Sequence, residues 1–191
     1  MKLAPYDELN VIRERIQSVA DSPAMTVPEK RKEVGDLIID LLMMSYMYGV
    51  DDLNEQLGTD ILPDGELMTD IIFADLDDGR NVIDRTNGHI DDDGTFHFAD
   101  IMRMIESEMT RDYNSGALNA ADMSGVKYRK TWVTMMDEKV RDSHQYLEGM
   151  TVEGNGHFVT LDGDSALGPG GFSRPENNVN CRCGLRFETV I

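Results

Sequence analysis

Apolar residues recur at steps of three and four along most of the chain before residue 126, which places them on one face of a helix. This pattern predicts helices over residues 6–20, 28–48, 65–86 and 98–125. Thr26 is a favourable entry residue for the second helix, and Gly49 is predicted to end it. A further short helix is predicted in the stretch YGVDDLNEQLG. We therefore expect four or five helices that pack as a bundle or a hairpin.

After Val126 the pattern changes to short runs typical of β-strands, namely TWVTM, HFVTL and GLRFETVI, separated by a Gly- and Pro-rich stretch. We predict a helical region over residues 1–125 and a small mixed α/β lobe over 126–191. The lobe is expected to hold a helix at about 135–148 and a short antiparallel sheet that includes the segment from Cys181 to Cys183. The predicted fold class is α+β and mainly α.

The amino-acid composition limits the possible functions of the protein more than it limits the possible folds. The chain has 191 residues, with 36 acidic and 18 basic side chains, a formal net charge of −18 and a sequence pI near 4.4. Such a surface repels duplex phosphate, so tight sequence-specific DNA binding is not expected, and a protein partner fits better. The most apolar run, residues 37–50, contains Asp40 and is too short to span a bilayer. Because the start of the sequence also lacks the apolar core of a signal peptide, we expect a protein of the cytosol.

Three segments of the second half form a connected pattern. They read IESEMTRDYNSGALNAADMSGV, KTWVTMMDEKVRDSHQYLEG and LGPGGFSRPENNVNCRC. Their order resembles that of the phage minor head proteins related to the F protein of phage Mu, also called head morphogenesis proteins, over about residues 100–187. In that family a helix with an acid and Asn-x-Gly precedes a Trp, then Asp-x-x-x-Arg-x-x-His, and finally Asn-Cys-Arg-Cys. The residues that match are Glu108, Arg111, Asn114, Gly116, Trp132, Asp137, Arg141, His144, Gly149, Asn180, Cys181, Arg182 and Cys183.

The resemblance implies a structural protein of a tailed phage or prophage and not an enzyme. Such proteins join the procapsid, associate with the portal protein or with the major capsid or scaffolding protein, and assist head assembly or genome ejection. The expected location is the host cytoplasm during assembly and then the virion, in the capsid interior or at the portal vertex. Two features depart from the family: Asn178-Val179 stands where many relatives have His-Pro, and the sequence stops eight residues after Cys183, so we expect no fused toxin.

Asp137, Arg141 and His144 stand at i, i+4 and i+7, so on a helix they would share one face. We predict that Asp137 pairs with Arg141 and that His144 points toward the C-terminal cysteines. The single tryptophan, Trp132, is predicted to anchor the core of the lobe.

Cys181 and Cys183 are the only cysteines, too few for a disulfide framework of a secreted domain. In an extended segment their thiols would point to one face, with Arg182 turned the other way to pair with an acid. One interpretation is a structural zinc ion held by His144 and both thiols, with His157 or Asp142 as a fourth ligand. Another is simple packing of the thiols around Trp132.

Catalysis by a cysteine nucleophile with His144 as its base is a third alternative. The rival function is a small metal-dependent hydrolase or toxin that acts on host nucleic acid, with His144, Cys181 and Cys183 at its site. The motifs of zinc deaminases, of helical metalloproteases and of phosphate-binding loops are absent from the sequence.

Overall fold

Helices form the first two-thirds of the fold and short strands the last third. The computed structural model describes residues 6–74 and 81–190. Within them the helices before the first strand are α1 (Tyr6–Asp21), α2 (Val27–Leu57), α3 (Gly65–Ile72), α4 (Val82–Asn87) and α5 (Phe98–Met123). There follow β1 (Tyr128–Val133), α6 (Asp142–Gln145), β2 (Thr151–Glu153), β3 (Phe158–Val159), β4 (Ser165–Ala166), α7 (Pro175–Asn178) and β5 (Gly184–Thr189). The predicted class, α+β and mainly α, is confirmed. No helix in these two described ranges is both long enough and apolar enough to cross a membrane.

The longest helix, α2, begins at the predicted entry residue. The carboxylate of Glu29 accepts hydrogen bonds from the backbone N–H and the hydroxyl of Thr26 (both 2.8 Å). These bonds provide partners for donors at the start of the helix that have none within the helix. The helix then runs through Gly49 and ends only at Gly58, which has a φ of 67°. The prediction that Gly49 ends the helix is therefore wrong. The neighbouring helix α5 approaches too closely for a side chain there, so this glycine allows close helix packing rather than helix termination.

The helix predicted over residues 65–86 is also wrong as a single element. The helix α3 ends at Ile72 and α4 begins at Val82, with residues 75–80 of the predicted helix outside the described part. Each helix has its own cap: the side chain of Asp64 accepts from the N–H groups of Glu66 and Leu67, and that of Asn81 does the same for α4. Two N-terminal caps indicate two separate helices.

A three-stranded antiparallel sheet in the order β2-β1-β5 lies after the helices, and β3 pairs with β4 as a separate hairpin. The central strand β1 aligns Trp132 with Leu185 of β5 and Lys130 with Phe187. All four side chains are buried, and the core that contains the three apolar ones is a single cluster shared by the helices and the strands. The sheet therefore packs against the helical region rather than standing apart from it.

Two predictions within the lobe are wrong. The helix expected at about 135–148 is reduced to the four residues of α6, because residues 134–141 form turns and irregular backbone. The Cys181–Cys183 segment lies outside the sheet, since β5 begins at Gly184. Asn180 has a φ of 57°, a left-handed conformation that turns the chain just before the cysteines.

Candidate functional site

The residues His144, Cys181 and Cys183, far apart in sequence, meet in the core of the lobe. The Nδ1 atom of His144 lies 3.6 Å from the Sγ atom of Cys181 and 3.5 Å from that of Cys183. One ligand atom from each of the three residues lies within 4.8 Å of the others. The exposed fractions are 1% for His144, 3% for Cys181 and 5% for Cys183. The structure thus brings together the three residues that the sequence suggested as ligands.

The two candidates for a fourth ligand, His157 and Asp142, are exposed and do not belong to this cluster. Among the described residues, the cluster is the single group of three His, Cys, Asp or Glu side chains placed to share a metal ion. Both thiols are free of disulfide bonds. Any metal ion at this place would have three protein ligands.

Short local structures position the three side chains. His144 belongs to the single turn of α6, which starts after Arg141. The backbone N–H of Cys181 donates to the carbonyl oxygen of Asn178 (3.0 Å), which closes a turn after α7. Together with the left-handed Asn180, this turn directs both sulfur atoms at the imidazole.

Aromatic rings surround the imidazole of His144. The ring of Trp132 contacts it edge-on, with centroids 5.3 Å apart, and that of Phe172 lies 5.6 Å away. Phe158 packs edge-on against Trp132 at 5.2 Å. Trp132 is fully buried, in the place predicted for it. The Nε2 atom of His144 is buried and has no hydrogen-bond partner among the described residues.

The predicted pair between Asp137 and Arg141 is wrong. Asp137 lies in a turn, and its carboxylate accepts a hydrogen bond from Arg182 at 2.7 Å. This hydrogen bond lowers the pKa of Asp137. Arg141 donates to the carbonyl oxygens of Glu176 and Val179. Without a helix over 135–148, Asp137 and Arg141 have no common face, so each finds a partner across the lobe.

The helix α5 holds the cysteine segment from the other side. The side-chain amide of Asn114 is buried and donates to the carbonyl oxygen of Cys183 (3.2 Å) and to that of Thr110 (2.7 Å). The hydroxyl of Ser107 accepts from the backbone N–H of Asn180 (3.0 Å). Asn114 appeared in the sequence only as part of a motif, and the structure shows that its amide joins α5 to the cysteines.

A buried charged group lies beside these contacts on α5. Glu108 pairs with Arg85 of α4 and with Arg111, both at 2.7 Å. The neighbouring Asp112 is fully buried and pairs with Arg111 at 3.0 Å. Burial raises the pKa of Asp112 to about 7, against the opposing effect of Arg111. The matching residues Glu108 and Arg111 of the sequence pattern are therefore parts of one ion-pair group.

Asp164 organises the loop that leads to the cysteines, and sequence reasoning missed it. Its carboxylate accepts from the backbone N–H groups of Ser173 (3.2 Å) and Arg174 (3.1 Å) and from the side chain of Asn177 (3.0 Å). Burial alone would raise its pKa, but these hydrogen bonds outweigh it and lower the pKa to about 2. The available signal was an Asp followed by Ser and Asn residues in a Gly-rich loop, a composition typical of side chains that bond to the backbone.

The two thiols influence each other. A hydrogen bond from the thiol of Cys183 lowers the pKa of Cys181, and the nearby imidazole of His144 lowers it further. The same hydrogen bond, followed by burial, raises the pKa of Cys183. The thiol of Cys181 is therefore the more acidic of the two.

A groove of about 590 Å³ runs between α5 and the loop that contains α7. Its lining includes Arg85, Arg103 and Arg111. All three arginines pair with acids, Arg103 with Asp100 and the others with Glu108. These acids therefore neutralise only part of the positive charge of the groove.

Comparison with known proteins agrees with the sequence pattern. Residues 78–186 match the family described as Phage Mu protein F like protein. A stretch of 59 residues is 39% identical to the protein named NAD(+)--arginine ADP-ribosyltransferase EFV of Enterococcus faecalis (strain ATCC 700802 / V583). That stretch covers 31% of this chain and only 12% of the relative. No solved structure matches the chain.

Proposed function

Because the chain belongs to the Phage Mu protein F like family, we propose that it is a minor head protein that joins the procapsid of a tailed phage or prophage. Membership of the family makes it a head-related structural protein of a phage, associated with the virion. The proposal adds that it contacts the portal protein, or the major capsid or scaffolding protein, and assists head assembly or genome ejection. The match over residues 78–186 is the observation that carries the proposal.

The positions of the motif residues support a structural role. Asn114, Gly116, Trp132, His144 and Cys183 are buried, where they make contacts that join α5, β1 and the C-terminal segment. A catalytic nucleophile and base need access to a substrate, and the His144–cysteine cluster is at most 5% exposed at any of its three residues. We propose that the pattern specifies a rigid assembly unit and that the protein is not an enzyme.

Electrostatics favours a protein partner. The net charge of −18 opposes binding to packaged DNA, whose phosphates carry the same sign. Portal, capsid or scaffolding surfaces with basic patches would attract this protein during assembly. The proposed location is the host cytoplasm during assembly and then the capsid interior or the portal vertex.

Affinity purification from cells that express the neighbouring head genes tests the partner. The tagged protein is recovered after a wash at physiological ionic strength, which preserves electrostatic contacts, and the proteins that accompany it are identified by mass spectrometry. We expect portal, capsid or scaffolding protein, absent from a control with an unrelated tagged protein of similar net charge. If the folded, tagged protein recovers no portal, capsid or scaffolding protein, the proposal is wrong.

A separate assay tests the absence of enzymatic activity. The similarity to an ADP-ribosyltransferase covers 12% of that protein, so the assay supplies labelled NAD⁺ and an arginine acceptor. A parallel assay supplies RNA and DNA with divalent metal ions. We expect no turnover above a heat-denatured sample in either case. Turnover that disappears in His144→Ala would favour the rival hydrolase or toxin.

A further inference from the structure

We propose that His144, Cys181 and Cys183 bind one zinc ion, which links the C-terminal segment to α6 and to the aromatic core of the lobe. The inference does not depend on the proposed head function. It rests on the identity of the three side chains, on the distances between their ligand atoms and on the space between them.

The distances fit a tetrahedral zinc ion. Zinc bonds of about 2.3 Å to sulfur and about 2.05 Å to nitrogen, at a tetrahedral angle, place nitrogen and sulfur about 3.6 Å apart. The Nδ1 atom of His144 lies 3.6 Å from one sulfur and 3.5 Å from the other. Two thiolates and one imidazole are also the ligand types that zinc prefers. Both nitrogen–sulfur distances therefore already match those of a tetrahedral zinc ion, and all three ligand atoms lie within 4.8 Å of one another.

The site has room for a fourth ligand. A small cavity lined by the three ligands, Asn180 and Arg141 leaves about 10 Å³ for the centre of a water-sized particle. This is about the space that one water molecule needs. Since His157 and Asp142 do not join the cluster, a water molecule in this cavity would complete the four ligands.

The ligands are held in place by the surrounding protein. Asn114 binds the carbonyl oxygen of Cys183, Asp137 pairs with the intervening Arg182, and aromatic rings enclose His144. Such contacts restrain the ligand residues, so that little further ordering is needed when an ion binds. Because the cysteines lie 37 and 39 residues after His144, one ion would close a long segment of the chain.

Metal analysis of untagged protein purified without chelator tests the inference. We expect about one zinc ion per chain in the wild-type protein and at least tenfold less in Cys181→Ser and Cys183→Ser. The matched control is His157→Ala, which removes an exposed histidine outside the cluster and should keep the full zinc content. Circular dichroism verifies that each variant is folded.

Two measurements on the wild-type protein keep the test decisive even if the cysteine variants do not fold. Co²⁺ added to metal-free protein should give the absorption bands of a tetrahedral ion with thiolate ligands, and Zn²⁺ should remove them. The melting temperature should fall after chelation and recover when zinc returns. Zinc below a tenth of an ion per chain, with no Co²⁺ bands and no change in melting temperature, would overturn the inference and leave packed thiols.

Discussion

Gly49 of α2 and Gly116 of α5 form a reciprocal contact at which the two longest helices touch backbone to backbone. A Cβ atom at Gly49 would lie 1.9 Å from the carbonyl oxygen of Tyr113, and one at Gly116 would lie 2.1 Å from that of Tyr46. Neither helix has space for a methyl group there. Gly116 is the glycine of the Asn-x-Gly motif, and Asn114 of the same motif bonds to Cys183. The motif therefore sets the helix contact and anchors the cysteines at once.

Substitution of either glycine should separate the helices. We expect Gly49→Ala and Gly116→Ala each to lower the free energy of unfolding by about 3 kcal/mol or more, because the clash is with backbone atoms that have no room to move. Gly65→Ala is the matched control, since a Cβ atom there meets nothing within 4 Å. Urea unfolding measures all three. Equal stability of Gly116→Ala and the control would contradict the close contact.

Arg141 and Arg182 should differ in their effect on stability. Arg141 donates to two carbonyl oxygens at the end of α7, whereas Arg182 makes a pair with the partly exposed Asp137. We expect Arg141→Ala to cost about 2 kcal/mol, because it removes two hydrogen bonds from a charged donor that join α6 to the end of α7. Arg182→Ala should cost clearly less, since ion pairs at the surface contribute little. Denaturant unfolding of both variants checks this order. A larger loss of unfolding free energy in Arg182→Ala than in Arg141→Ala would contradict the prediction.

Asp164 should make the protein sensitive to acid. Its pKa is lowered to about 2 in the folded protein, against about 3.9 in an unfolded chain. The stabilisation is therefore fully present above pH 4 and is lost as the pH falls from about 4 to about 2. We expect Asp164→Asn to cost about 2 kcal/mol at pH 7 and to flatten this part of the pH profile.

Unfolding measured across this pH range, with the exposed Asp70→Asn as control, tests the role of Asp164. The control should retain the slope of the wild-type protein. An unchanged slope in Asp164→Asn would show that other carboxylates produce the acid sensitivity.

Lys130 should make the protein more stable at alkaline pH. Its side chain is fully buried, its Nζ atom has no hydrogen-bond partner in the described part of the chain, and burial lowers its pKa to about 8. The unfolded chain therefore holds this proton up to about pH 10.4 while the folded protein releases it near pH 8. Stability is expected to rise between these values.

Replacement of Lys130 by Met should remove that rise and stabilise the protein at pH 7 by about 2 kcal/mol, because no charge is then buried. Lys127→Met, at an exposed position, is the control and should leave the alkaline rise intact. The check is thermal unfolding between pH 7 and pH 10. A loss of stability in Lys130→Met at pH 7 would mean that the ammonium group has a favourable role in the core.

Local patterns in the sequence determined the positions of those helices that depend only on residues close together in the chain. The three- and four-residue spacing of apolar residues located α1 and α5, and Thr26 marked the start of α2. The order of the Asn-x-Gly, Trp, His and Cys-x-Cys elements identified the family, and the family match over residues 78–186 confirms it. The helix signals depend on residues a few positions apart, which helix geometry holds in a fixed relation. The family signal depends on the order of short motifs along the chain, which the sequence records directly.

Only the tertiary structure decided which distant residues meet. Arg141 does not pair with Asp137, which is four residues away. It donates instead to carbonyl oxygens 35 and 38 residues further along the chain. Gly49 lies within a helix instead of ending it, and it is a glycine because the backbone of α5 leaves no room for a side chain there. The left-handed Asn180 places Cys181 and Cys183 before the strand and against His144. Contacts over such separations depend on how the intervening loops turn and on what packs against them, and no local period in the sequence records either.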